Sequence, residues 1–181
     1  MTTVNYCAFA VLGAGSRIEF SGNTGKGAIC TGTTPSTYGL YMTNGSVAVG
    51  RDISLTGFNQ NLRLKWGCRA TLPSSDFSNA SLNCVTLSGG SNLTAINCTF
   101  NTNGVAVSAS QGSTCALYLS SSNYGAFNAV SGSILDCSSV TYTGAGTGFG
   151  VSTGGIINAS GSTGSLSVTA NTIQAAGIIF K

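Results

Sequence analysis

The chain has 181 residues, of which 42% are hydrophobic and only 6% are charged, and its formal net charge is +3. This length suits one domain. The seven basic and four acidic residues are too few to form a surface that follows a phosphate backbone, so the composition argues against nucleic-acid binding. Glycine, serine, threonine and asparagine fill about half of the chain, which indicates a β-structure solvated by hydroxyl and amide groups.

The N-terminal part, residues 1–37, differs from the rest and is predicted to form a cap with entry strands. Residues 4–15 are apolar, but no Lys or Arg precedes them and the stretch is too short to span a bilayer. We therefore interpret it as a first strand rather than a signal peptide or a membrane-inserted segment. Residues 15–20 resemble an early copy of the repeat described next. The extra length before the second copy is assigned to a loop inserted at residues 31–36.

Residues 38–181 carry a repeat whose mark is a glycine followed by a small residue. The positions of these glycines increase in steps of 22, 23, 22, 20 and 22, and a further step of 23 leads to Gly177. Self-similarity at a fixed period of this length is typical of a solenoid. The pairs are Gly45-Ser46, Gly67-Cys68, Gly90-Ser91, Gly112-Ser113, Gly132-Ser133 and Gly154-Gly155.

Short alternating runs lie on both sides of each glycine, which indicates strands rather than helices. Side chains of similar size also recur at two fixed distances after the glycine. They are small at five residues (Gly50, Ala95, Cys137, Ala159) and aromatic at ten (Phe77, Phe100, Tyr142). Such recurrence predicts that the side chains at these two offsets point inwards and stack on side chains of equal volume in the neighbouring turns.

The length of the repeat fixes the expected architecture. At about 3.3 Å per residue, 22 residues trace about 70 Å, enough for three short strands around a narrow apolar lumen. Turns stacked about 4.8 Å apart pair their backbone groups with the turns above and below. The sequence therefore predicts an all-β fold, a right-handed parallel β-helix (β-solenoid) of six or seven turns with about 22 residues each.

Seven cysteines are an odd number, they form no CxxC pair, and the chain has no histidine to complete a zinc site. We expect no metal and no other cofactor. The thiols are predicted to serve as small buried hydrophobic groups, which implies assembly in a reducing cytoplasm. The cysteines are Cys7, Cys30, Cys68, Cys84, Cys98, Cys115 and Cys137.

Most of the charge falls in residues 51–76, which contain six charged residues and the only tryptophan, whereas residues 77–135 contain no charged residue. One interpretation is a patch for an anionic sugar, in which the indole stacks and the guanidinium groups bind carboxylates. The other is a contact between subunits or domains, or a set of charges that solvates the widest loop. The predicted ligand-binding residues are Arg51, Arg63, Lys65, Trp66 and Arg69.

The chain has only four carboxylate side chains, Glu19, Asp52, Asp76 and Asp136. A glycosidase requires two carboxyl groups within about 5–9.5 Å. Asp52 and Asp76 follow their glycines by seven and nine residues on successive turns, so they can approach that separation. No histidine and no Lys-Arg pair of the lyase type supports them, and we predict no catalytic residue and no enzyme activity.

The repeat unit resembles that of a known family. Residues 38–47 and 148–160 contain an aromatic strand, an Asn-Gly-Ser turn and an Ile-x-Asn-Ala strand, and these features are similar to the β-helical distal parts of bacteriophage tail fibres and tailspikes. The resemblance covers residues 38–165. It implies a homotrimeric virion component of the phage tail, assembled in the host cytoplasm, that contacts a host-cell surface polysaccharide. Other tail proteins are further candidate partners. Tailspike depolymerases carry carboxylate-lined grooves, which residues 77–135 lack.

Three alternatives remain open. A fragment of a tailspike-type depolymerase and a bacterial β-solenoid adhesin would share the repeat, although exported adhesins usually avoid unpaired cysteines. An ice-binding solenoid would require a flat threonine ladder at one offset. The Thr-x-Thr pairs Thr31/Thr33 and Thr141/Thr143 lie at different distances from the repeated glycine.

A short single stack is expected to associate with other copies. It leaves two open sheet ends and apolar residues that face outwards, among which we expect Leu117, Leu119 and Phe127 or their alternating neighbours. Closed three-fold symmetry would cover such faces without forming filaments. The sequence therefore predicts a homotrimer.

Overall fold

The structure is a computed structural model, and it describes residues 7–20, 29–32, 38–102, 104–123, 125–144, 148–164, 172–173 and 177–180. The predicted all-β solenoid is confirmed. The described residues form strands and no helix, and every strand pair is parallel. The chain makes about six turns, and equivalent positions on adjacent turns are separated by about 22 residues.

Each turn contributes one strand to each of up to three parallel sheets, which form the faces of the solenoid. Sheet A contains β1 (Cys7–Leu12), β4 (Tyr38–Thr43), β7 (Gln60–Lys65), β9 (Asn83–Ser88), β11 (Val105–Ala109), β14 (Ala126–Val130), β17 (Phe149–Ser152) and β20 (Thr172–Ile173). Sheet B contains β2 (Arg17–Phe20), β5 (Val47–Gly50), β8 (Arg69–Thr71), β10 (Asn92–Thr94), β12 (Thr114–Ala116), β15 (Ile134–Asp136), β18 (Ile156–Asn158) and β21 (Ile178–Phe180).

Sheet C is the least regular face. Single bridges through Asp76 and Thr99 join its first strands to its later ones. Its strands are β3 (Ile29–Thr31), β6 (Ser54–Thr56), β13 (Ser121–Ser122), β16 (Thr141–Tyr142) and β19 (Thr163–Gly164).

Strand register follows the glycine spacing because each turn repeats the path of the turn below it. Val47 pairs with Arg69 and Arg69 with Asn92, which reproduces the first two intervals. The last interval was predicted wrongly. Ile156 pairs with Ile178, so the register makes Gly177 equivalent to Gly155 rather than to Gly154.

The extra length in the first turn does not lie in one loop as predicted. Eight residues separate β2 from β3, against three between β5 and β6, and six separate β3 from β4, against three between β6 and β7. Most of the insertion therefore lies in residues 21–28, and the rest precedes β4. Most of residues 31–36 lie outside the described residues.

The two recurrent offsets are inward positions, as predicted. The column at five residues after the glycine is buried from Leu72 to Ala159, but its volumes are not equal. Small and large side chains mix within it, since Leu72 and Leu117 stand in register with Ala95 and Cys137. Equal volume within one column is not required, because a large side chain in one column can be offset by a small one in the neighbouring column.

Aromatic rings fill the centre of the lumen. Phe77 and Phe100 stack at 5.7 Å between ring centroids. The next residue of that column is Ser122, whose hydroxyl donates to the Phe100 and Gly125 carbonyls. Phe127 enters from sheet A instead and lies edge-on to Phe100, with centroids 6.3 Å apart. Leu117 and Phe127 therefore point inwards, and the exposed apolar residues of this region are Tyr118 and Leu119.

Two corners of each turn, the one between sheets A and B and the one between sheets B and C, depend on left-handed backbone conformations, which the glycine pattern revealed only in part. The residue before the repeated glycine also has positive φ, including Trp66 and Thr153, and a single residue does so at the corner between sheets B and C. Such values are uncommon outside glycine and asparagine. The residues with positive φ at this second corner are Asp52, Ser74, Asn97, Leu119, Ser139 and Gly161.

A buried serine ladder explains the small residue after the repeated glycine. Ser91 N donates to Ser113 Oγ and Ser113 N donates to Ser133 Oγ, both at 3.2 Å. Each hydroxyl satisfies a backbone amide at the corner that would otherwise be buried unpaired. Cys68 occupies the same position and donates its thiol proton to the Lys65 carbonyl at 3.0 Å.

Gly155 departs from this ladder for a steric reason, and Gly155→Ser is expected to lower the free energy of unfolding by about 2–3 kcal/mol. A Cβ atom at this position would overlap the carbonyl oxygen of Ala129 and lie 2.6 Å from its carbonyl carbon. Urea unfolding measures the effect. The control is Gly154→Asn, because a Cβ there meets nothing within 4 Å and asparagine tolerates positive φ. Equal unfolding midpoints for Gly155→Ser and wild type would contradict the steric argument.

The structure contains no disulfide, and all seven cysteines lie among the described residues. Five of them are buried as predicted. Cys7 and Cys30, in the first described turn, are only half-buried.

Candidate functional site

Two of the predicted binding residues lie side by side on the outer face of sheet A. Arg63 and Lys65 alternate with the buried Leu62 and Leu64 along β7, so their side chains leave the lumen together. Trp66 follows at the corner between sheets A and B, and it is 55% exposed. The strand pattern therefore places one guanidinium, one ammonium and one indole at the same edge of the face.

Aromatic rings lie beside both cations. The Lys65 Nζ atom is 4.7 Å from the centroid of the Trp66 ring, and the Arg63 Cζ atom is 5.8 Å from that of Tyr38. Tyr38 and Tyr41, from the turn below, have centroids 5.1 Å apart. Cation–π contacts of this kind hold the charged groups in place without neutralising them. We call these five residues the aromatic–cation platform.

The platform carries positive charge that no nearby acid compensates. Arg63 Nη1 donates to Gln60 Oε1 at 2.9 Å, and its Nε–H is buried without a partner. Neither Arg63 nor Lys65 takes part in the ion pairs found in the described part of the chain. An anionic group that binds here meets two cations, and it displaces no carboxylate of the protein.

The next turn leaves room for the indole. Trp66 adopts a positive φ of 57°, and the equivalent residue one turn above is Gly89. A Cβ atom at position 89 would lie only 2.8 Å from Trp66 Cδ1. Glycine at this corner therefore permits the ring orientation that brings Trp66 against Lys65.

The other two predicted residues lie elsewhere. Arg69 is on the outer face of sheet B, in register between Val47 and Asn92. Arg51 is near the corner between sheets B and C, where its Nε lies 3.5 Å from an Asp52 carboxylate oxygen. The structure thus brings together three of the five predicted residues and separates Arg51 and Arg69 from them.

Tyr38 and Tyr41 were missed by the sequence analysis. The signal was available, because Tyr41 precedes Arg63 by one period of the repeat, and the structure pairs these two residues. The charged segment begins at residue 51, whereas Tyr38 and Tyr41 precede it in the sequence and lie directly below it in the stack.

The two candidate catalytic carboxylates also share a site. Asp52 and Asp76 line one cavity of about 330 Å³ near the corner between sheets B and C, together with Asn97 and Thr99. Asp76 Oδ1 accepts a hydrogen bond from the Ser78 amide at 2.9 Å. Asp52 is paired with Arg51. Each carboxylate therefore already stabilises the local backbone or a neighbouring charge.

Comparisons with models of protein families, with curated proteins and with solved structures find no match to this chain. Within the described ranges, no helix is long and apolar enough to cross a membrane. No group of three or more His, Cys, Asp or Glu residues there is placed to hold a metal ion. The function proposed below therefore depends on the geometry and charge of the platform.

Proposed function

We propose that this chain is a receptor-binding segment of a phage tail fibre or tailspike, and that it binds an acidic host-cell surface glycan through the aromatic–cation platform. In this proposal the solenoid is right-handed and homotrimeric, and it performs no catalysis. The observation that carries the proposal is the pairing of aromatic rings with uncompensated cations on one exposed strand face.

The chemistry of the platform suits an acidic sugar. Trp66 and Tyr41 offer flat apolar faces against which the C–H groups of a sugar ring can pack, while Arg63 can bind a carboxylate with two parallel hydrogen bonds. A planar guanidinium is better suited to this geometry than an ammonium. Lys65 then adds charge without directional constraint.

A shallow face of this kind is expected to bind one sugar unit weakly. Three copies held on one rigid body raise the effective concentration of the second and third contacts, and avidity can exceed the single-site affinity by about 10²–10⁴. The biologically relevant measurement is therefore made on the assembled protein and whole cells, not on one site.

Adsorption of the assembled protein to host cells tests the proposal. The double variant Arg63→Gln with Trp66→Asn is expected to lower adsorption by at least about tenfold, because all copies lose the contact together. Asparagine is chosen because it tolerates the positive φ at position 66. Matched controls are Arg51→Gln and Arg69→Gln, which remove cations from the same segment but from other faces, and these should adsorb like wild type.

Two outcomes would contradict the proposal. The first is normal adsorption by the platform variant with its fold and assembly intact. The second is a loss of adsorption by the control variants that is as large as the loss by the platform variant. The second result would indicate that net charge, rather than the platform, determines adsorption.

A second candidate function, cleavage of a surface polysaccharide, is favoured by one observation, the shared cavity of Asp52 and Asp76. The same preparations test it through the release of reducing ends from purified host polysaccharide. Release by wild type and not by Asp52→Asn with Asp76→Asn would assign a glycosidase activity to this cavity. The absence of release from wild type would support a binding function alone.

A further inference from the structure

A polar cavity of about 430 Å³ lies at the third corner of the turn, between the end of sheet C and the start of sheet A. Three asparagines from successive turns line it, Asn79, Asn101 and Asn123, each 22 residues after the previous one. Ser81 and Thr102 add hydroxyl groups to the lining. We call it the amide cavity. Its volume falls within the range of cavities that bind small molecules.

Hydrogen bonds between turns fix the backbone around the amide cavity. Asn79 N donates to the Asn101 carbonyl at 2.7 Å, and Thr102 Oγ1 donates to the Ala80 carbonyl at 2.8 Å. The Thr102 hydroxyl also accepts a hydrogen bond from the Gly104 amide at 3.2 Å. The stacked turns therefore set the shape of the cavity, and a ligand that enters it requires little rearrangement of the backbone.

The side-chain amides, in contrast, lack partners. Asn79 and Asn101 use their side chains in none of the hydrogen bonds between described residues. Asn123 Oδ1 is buried and also lacks a hydrogen-bond partner, which is costly and rare in folded proteins. Rotation of the Asn123 amide towards the cavity would allow a bound hydroxyl group to donate to it, so a ligand would remove this cost.

The lining determines the class of ligand. None of the described residues that line the cavity is charged, so an anion or a divalent cation would find no opposite charge there. Only Ala80 and Gly104 among them are apolar, which leaves little surface for an apolar ligand. Each asparagine amide offers two donors and one acceptor group. Adjacent hydroxyl groups of a sugar ring can pair with both functions of one amide.

We propose that the amide cavity binds an uncharged sugar unit, whose hydroxyl groups pair with the side-chain amides of Asn79, Asn101 and Asn123. This site is separate from the aromatic–cation platform, whose cations suit an acidic sugar, and it depends neither on the platform nor on the assembly of several copies. Its hydrogen bonds replace bonds to water, so the affinity of one cavity for one sugar unit is low.

Saturation-transfer difference NMR on the whole chain tests the inference, with glucose, galactose, mannose and N-acetylglucosamine as separate probes. At least one probe is expected to bind wild type. The variant Asn101→Ala with Asn123→Ala is expected to raise its dissociation constant at least about tenfold, because two hydrogen-bonding amides are lost. A second variant, Asn79→Gly, removes the remaining amide and keeps the positive φ of this residue.

The matched control is Asn92→Ala with Asn128→Ala. It removes two asparagine amides from strands of sheets B and A, outside the cavity, and should bind the probe like wild type. The platform variant Arg63→Gln with Trp66→Asn should bind it equally well. Added salt should leave the affinity unchanged, because no charged group takes part in the contact. Circular dichroism verifies that all variants are folded.

Binding of none of the probes by wild type would overturn the inference, and so would equal affinity of wild type and both amide variants. Loss of probe binding in the platform variant, with the amide variants unaffected, would assign the sugar to the platform and overturn the cavity as its site. The proposed function is tested independently, because it depends on the adsorption of the platform variant and not on that of the amide variants.

Discussion

Phe100→Ala is expected to lower the free energy of unfolding by about 3–5 kcal/mol, the usual cost of removing a large aromatic side chain from a packed core. Phe100 is fully buried. It stacks on Phe77 at 5.7 Å and meets the edge of Phe127 at 6.3 Å, so its removal takes an aromatic contact from both rings. Strand pairing around the lumen limits how far the neighbours can move to fill the space. Urea unfolding monitored by circular dichroism measures the loss.

The control for this prediction is Tyr118→Ala. Tyr118 is an aromatic residue of the next turn whose side chain is exposed, and substitutions at such surface positions usually change stability by less than about 0.5 kcal/mol. Similar losses for the two variants would show that ring burial in the lumen is not what stabilises the stack.

Alkaline pH is expected to destabilise the fold strongly. Burial raises the pKa of the Cys84 and Cys98 thiols from 9.0 to about 12, with a smaller contribution from the Asp76 carboxylate. Burial also raises the pKa of Cys115 and Cys137 well above 9.0. In the unfolded chain all four thiols ionise near pH 9.

The direction of this pH effect follows from the number of protons bound in the folded and the unfolded state. Below pH 9 both states keep these protons, and the thiols contribute no pH dependence. Above pH 9 the unfolded state releases protons that the folded state retains, so the free energy of unfolding falls as the pH rises towards 12. Each thiol contributes about 1.4 kcal/mol per pH unit, and four contribute about 5–6 kcal/mol per unit.

The measurement is urea unfolding at fixed protein concentration from about pH 8 to about pH 11. Cys98→Ser is the matched variant, since Cys98 lies between Ser75 and Ser120 in a ladder of small polar side chains. Its sulfur accepts a hydrogen bond from the Ser75 amide at 3.3 Å, and its own amide donates to Ser120 Oγ at 3.1 Å. Above pH 9, the free energy of unfolding of this variant should fall less steeply with pH than that of wild type, by the contribution of one thiol. The same slope in wild type and Cys98→Ser would contradict the contribution of this thiol.

The sequence predicted the strand registers because every turn must follow the path of the turn below. A residue one period away therefore occupies the next level of the same column, as Val47 and Arg69 do. The inward offsets that contain Phe77 and Cys137 were found for the same reason. Leu117 stands at one of these offsets and faces the lumen, although it was named among the possible outward residues. Phe127 also faces the lumen, but no repeated side chain marks the phase of its strand in the sequence.

Within the candidate site, the sequence found the cations and the indole but not their grouping. Trp66 and Arg69 are close in the sequence, yet two consecutive residues with positive φ between the strands turn the chain onto another face. Tyr38 and Arg63 belong to different turns and are far apart in the sequence, but their side chains are in contact.

The sequence by itself determined the period, the strand class, the register of most turns and the nature of the charged segment, because these depend on spacing along the chain. Only the tertiary structure decided which residues share a face. It also decided that Phe127 supplies the ring missing at Ser122, and that no serine fits at Gly155. These features depend on the corner conformations and on the volume left by neighbouring columns. Both are set by contacts between turns, which residue spacing does not encode.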